Sequence, residues 1–171
     1  MNINQVSSNS YLNVNSISKA STSSSDIDAK IMNEINSESD QVEKEEDELL
    51  YQHLKSAGLD FTNHSLKDYK EHLQSFPPLT APANVRKAYR VATENGTAPK
   101  GMTFYMYAYQ KETGDNINST SNNVDGYLNL MQNFKDYFAT RYEDNLNTAD
   151  YTTNVDFLNN FTNELSKYKY N

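Results

Sequence analysis

The feature that most constrains this chain is the spacing of its apolar residues. Beyond about residue 48 they recur every three or four positions. Leu66, Tyr69, Leu73 and Phe76 form one such set, and Val85, Ala88, Tyr89 and Ala92 another. Tyr127, Leu130, Met131, Phe134, Tyr137 and Phe138 form a third, and Leu158, Phe161, Leu165 and Tyr168 a fourth. That period places each set on one face of an α-helix. No segment outside residues 102–110 shows the period-two alternation of a half-buried strand. The fold class that follows is all-α, a compact bundle of about five helices around one core.

Local signals set the expected helix limits. Ser65 and Asp68 have capping-box spacing, so a helix over 65–76 is expected, ended by Pro77-Pro78. Pro82 suits the first turn of the next helix, and Asn95-Gly96 its end. Residues 102–110, MTFYMYAYQ, have a strand-like composition. A lone strand would lack a partner, so a helix is expected there too. Residues 113–123 read as a polar loop. Asn-Val-Asp opens the last two helices, at 123–125 and 154–156, where Asn and Asp suit the caps.

The N-terminal third differs in kind. Residues 1–25 hold nine Ser, five Asn, one Lys and no acid. Their apolar residues, among them Ile3, Val6, Leu12, Val14 and Ile17, are too scattered to offset ordering entropy, so a disordered tail is expected. Residues 26–42 read as a weakly helical linker in which Ile27, Ile31 and Ile35 make a short stripe. Asn36, Ser37 and Ser39 interrupt it. The helical domain spans 43–171, with Gly58 a natural stop for its first helix. Acidity also concentrates early. Residues 1–47 carry three Lys and nine acids, and the remainder twelve basic and fourteen acidic residues.

Composition excludes several functions. Without cysteine there is no disulfide scaffold, thiol enzyme or zinc–cysteine site. The densest basic stretch is Arg86, Lys87 and Arg90, too little to displace counterions from nucleic acid. No apolar run is long enough for a membrane span. The glycines make no phosphate-binding loop. His64, Asp68 and His72 share metal-ligand spacing, but His64 precedes the helix, and Ser65, Asp68 and His72 lack a nucleophile elbow. Neither set is read as a site. The run Glu43–Glu48 reads as a solvated helix face. Tyr105, Tyr107 and Tyr109 read as core rather than as a binding strip. The reading is non-enzymatic, with no catalytic, cofactor or metal residues.

The serine- and asparagine-rich opening block resembles the N-terminal export signals of type III secretion substrates, flagellar substrates included. The wider use of Asn, Lys, Ile and Tyr resembles proteins of the Campylobacter and Helicobacter group. Together they resemble the small secreted proteins exported through the flagellar apparatus, of the Campylobacter invasion antigen type. The resemblance implies synthesis in the bacterial cytoplasm, export through the flagellar channel and a role in host-cell invasion through protein contacts. Ile3, Val6, Leu12, Val14 and Ile17 would then belong to the export signal. Ile27, Ile31 and Ile35 would offer a chaperone-binding stripe. Expected partners are the export apparatus or a chaperone, and a host protein. The alternative is a cytosolic helical adaptor or regulator, for example a flagellar assembly factor.

Overall fold

A computed structural model of the chain describes residues 24–96, 98–115 and 123–169. These form seven helices and, among the described residues, no strand. They are α1 (Ser24–Asn36), α2 (Gln41–Ser56), α3 (Leu66–His72), α4 (Ala83–Glu94), α5 (Met102–Thr113), α6 (Val124–Tyr142) and α7 (Thr148–Ser166). The all-α class holds, with seven helices rather than about five. Of the tail expected to be disordered, residues 1–23, with Ile3, Val6, Leu12, Val14 and Ile17, lie outside the described residues, while Ser24 and Ser25 already belong to α1.

One added helix, α1, comes largely from the stretch read as a linker. The polar residues 37–40 divide it, and Asp40 caps α2 by accepting from the Val42 and Glu43 amides at 2.8 and 2.9 Å. Gly58 follows α2 with φ +83°, a left-handed conformation that suits glycine. The Ser65–Asp68 capping box is present in both directions. Helix α3 nevertheless stops at His72, four residues short of Phe76, because Leu73 turns extended. The four residues expected on one face are thereby shared between two cores. Leu66, Tyr69 and Leu73 pack near α2, while Phe76 packs with Tyr89 and Phe161.

Helix α5 settles the ambiguous MTFYMYAYQ segment. Met102, Met106 and Tyr109, at i, i+4 and i+7, are buried along one side. Helix α7 starts seven residues before the expected Val155, capped by Asn147. Asn154 is therefore no cap. It is fully buried in mid-helix, accepting from the Lys100 amide at 2.9 Å and donating to the Lys100 carbonyl at 3.1 Å. A buried amide so paired ties the start of α5 to α7. Asn123 does cap α6, accepting from the Gly126 amide.

Buried apolar residues form two clusters where one was expected. The larger fills the space among α4, α5, α6 and α7, with Phe134, Phe138, Phe157 and Phe161 inaccessible to solvent. Tyr89 meets Phe157 and Phe161 edge-on at 4.9 and 5.3 Å, a favoured geometry for aromatic pairs. The smaller cluster lies among α1, α2 and α3 around Tyr51 and Leu54. Truncating Phe161 to Ala should cost about 3–5 kcal/mol of stability. Truncating Phe104, which is 69% exposed, should change it by about 0.5 kcal/mol or less. Urea denaturation of the two variants measures both.

Candidate functional site

Helix α4 has two faces with different tasks. Val85, Ala88, Tyr89 and Ala92 enter the larger core. Roughly a quarter-turn or more away, Arg86, Lys87 and Arg90 meet the acidic side of α2. The Arg86 guanidinium is buried. It donates to Asp47 Oδ1 at 2.7 Å, to Glu43 Oε1 at 2.5 Å and, through Nε, to the Ala81 carbonyl at 3.1 Å. Lys70 of α3 reaches the same acids, with Nζ at 2.9 Å from Glu43 Oε1 and from both Asp47 oxygens. Arg90 donates to Glu46 at 2.7 Å and to Glu94 at 3.0 Å, and Lys87 pairs with Glu45 at 3.3 Å.

This corrects the reading of Glu43–Glu48 as a solvated face, which holds for Glu45 and Glu48 but not for Glu43, Glu46 and Asp47. Glu46 and Asp47 are buried. Burying a carboxylate is costly unless it is paired and hydrogen-bonded, and these two are. A signal was present. Acids at 43, 46 and 47 and bases at 86 and 90 each repeat at helical spacing, as two complementary stripes would. Hydropathy alone does not distinguish a polar face that meets water from one that meets an opposite charge.

Glu38, in the turn before α2, brings a third carboxylate to Glu43 and Asp47. Oxygens of the three lie within 4.8 Å of one another. Such a set could hold a cation on spacing alone, but Lys70 and Arg86 already place two positive charges against it. Glu38 Oε2 is buried without a hydrogen-bond partner. Burial, and then the charges of Asp47 and Glu43, push the Glu38 carboxyl above the ordinary glutamate range.

Beside this network a cleft of about 280 Å³ opens between α2 and α4. Leu49, Leu50, Pro77 and Leu79 supply its apolar lining, and Glu46, His53, Arg90, Thr93 and Glu94 its polar edge. Leu49 is 46% exposed, unusual in a chain that buries most of its large apolar side chains. The cleft can receive an apolar side chain from outside, with hydrogen-bonding groups around it.

The stripe expected to bind a chaperone is folded inward. Ile31 and Ile35 are buried against the α2–α3 cluster, and Ile27 packs beside them. Asp28, on the same helix, accepts from the Tyr51 hydroxyl and pairs with Lys55 at 2.5 Å, which lowers its carboxyl pKa. Ser65 and Asp68 are engaged in capping α3, and His72 Nδ1 lies 2.8 Å from the Asp68 carbonyl. His64 is exposed ahead of the helix. Tyr109 is buried and its hydroxyl donates to Asp115, while Tyr105 and Tyr107 lie partly buried against the larger core. Among the described residues no helix is long and apolar enough to cross a membrane.

Comparison with family models, with curated proteins and with solved structures finds no match.

The network sets a pH dependence whose sign follows from Glu38. A carboxyl raised in the folded state stabilises the fold fully below its unfolded value near 4.5. That contribution is lost as pH rises through the raised folded value. Glu38→Gln should therefore stabilise the protein at pH 7, with the gain shrinking towards pH 4. Asp28 acts in the opposite sense, because its lowered carboxyl stabilises the fold above about 3.8 and fails as pH falls below that. Urea titrations of wild type, Glu38→Gln and Asp28→Asn across pH 3–8 read both trends; a gain for Glu38→Gln that does not depend on pH would contradict the assignment.

Proposed function

We propose that this chain is a secreted bacterial protein of the host-cell invasion type, exported by a flagellar type III system and acting through protein contacts rather than catalysis. The observation that carries this reading is the leader. Nine serines, five asparagines, a single lysine and no acid occupy 25 residues, and the first helix begins at Ser24. An export channel takes unfolded chain, and such a leader has little apolar surface with which to collapse.

Features of the fold support the reading. No cysteine is present to cross-link the chain. The most extensive pairing, α4 on α7, joins distant parts of the chain, but α1 packs on α2, α5 on α6 and α6 on α7, each pair adjacent in sequence. Local contacts of this kind form quickly once a chain emerges. The cleft beside Leu49 and the exposed Phe104 provide apolar surface for a partner. One observation favours the second reading, a cytosolic adaptor or regulator. Ile31 and Ile35 serve the protein's own fold, as an integral helix does, instead of facing outward as a docking stripe.

Fusion of residues 1–30 to a reporter separates the two. Export in a flagellated host, lost when the flagellar export gate is disrupted, is the expected result. Serine substitution of Ile3, Val6, Leu12, Val14 and Ile17 together should then reduce export. A reporter that stays in the cytosol of both strains would sink the secretion reading.

A further inference from the structure

The two apolar clusters do not merge. One is centred on Tyr51 and Leu54 in α1–α3, the other on the phenylalanines of α4–α7. Helix α2 on α4 is the main packing across the boundary, and charged groups dominate it. Among the described residues four ion pairs cross: Arg86 with Glu43 and with Asp47, Lys87 with Glu45, and Arg90 with Glu46. Part of the boundary is not closed at all, since the cleft of about 280 Å³ lies along it.

Most of the crossing charges, though not Glu46 or Lys87, hold a second partner within their own unit. Lys70 of α3 lies 2.9 Å from Glu43 and Asp47, a contact made wholly within α1–α3. Glu45 accepts from Gln41 of its own helix at 3.2 Å. On the other side Arg90 pairs with Glu94 at 3.0 Å, and Arg86 donates to the Ala81 carbonyl at 3.1 Å. Separation would therefore return these groups to water without stranding them. The chain joins the units through residues 73–82. Leu73 is extended at φ −80°, ψ 130°, and Phe76 is already anchored in the larger core, which places the pivot at 73–75.

We propose that this boundary is a parting line: α1–α3 swing away from α4–α7 as a preformed unit, with both apolar clusters intact, at a lower cost than unfolding either. What is lost on opening is mainly attraction between charges, and rehydration of the ions offsets much of it. Salt screens the rim pair of Lys87 with Glu45 directly, and it favours the opened state, in which the buried Arg86 contacts also become exposed to ions. The inference is independent of secretion, because it uses only the packing of the described helices.

The absence of native cysteine allows spin labels to be placed at will. Gln52→Cys with Asn159→Cys spans the boundary, and Asn129→Cys with Asn159→Cys lies within the larger unit; all three positions are exposed. Pulsed electron–electron distance measurements on the full chain should give the spanning pair a second, longer distance. Its population should rise roughly fivefold between about 0.1 and 1 M salt, while the internal pair keeps one distance. Glu46→Gln, which weakens a crossing pair and leaves the Lys70 contacts in place, should raise the longer population at low salt. A single salt-independent distance for the spanning pair would overturn the proposal. So would broadening of both pairs together, which means general loosening.

Discussion

The buried guanidinium of Arg86 is the interaction on which the arrangement turns. Removing a cation from water costs several kcal/mol after relaxation, and only a nearly complete set of acceptors offsets it. Asp47, Glu43 and the Ala81 carbonyl supply that set from two directions. The planar fork of arginine can reach three acceptors at once, which a lysine ammonium at the end of a flexible stem would not hold in the same plane. Lys70 does a different job. It sits at the carboxylates as a point charge and balances the second acid. In the closed arrangement the position of α4 relative to α2 is thus set by directional bonds, where most helix pairs rely on interdigitated apolar side chains.

That choice shapes the rest of the fold. A helix with an apolar stripe on one side and a charged stripe on the other can serve as the wall of one core only. Helix α4 gives Val85, Ala88, Tyr89 and Ala92 to the larger cluster, so α1–α3 must find their apolar surface among themselves. Small cores bury a smaller share of the chain's surface. The smaller cluster compensates with aromatic packing: Phe61 contacts Tyr51 and Tyr69 edge-on, each at 4.9 Å. The Tyr69 hydroxyl also reaches the Asp60 carbonyl, holding the α2–α3 loop over that cluster. Each unit is internally consistent, and the contact between them follows a different chemistry.

The same division explains what could be read from the residues. Apolar stripes at helical period gave the class, and the caps at Ser65 and Asn123 stand where their side chains suggested. Helix ends failed where tertiary packing outweighed local preference. Phe76 was needed in the larger core, so α3 ended early. Asn154 looked like a cap by residue type, yet its amide is worth more pairing both backbone groups of Lys100 in the interior. The charged network was hidden for a physical reason. A run of acids has the same hydropathy whether it faces water or arginine, and the arginines lie some forty residues further along the chain.

Helix α1 carries the last consequence. Ile31 and Ile35 are 2% and 3% exposed, so any partner that takes this stripe must first remove α1 from α2. Burial of one such side chain is worth about 1.5–3 kcal/mol, and two of them act together here. The Asp28 contacts with Tyr51 and Lys55 hold the other end of the helix. A chaperone for this segment therefore competes with the protein's own folding. It would act on chain in which α1 has not yet docked, and completion of the smaller core would end its access. Under the secretion reading, the residues that build that core also set the interval in which the chain can be held for export.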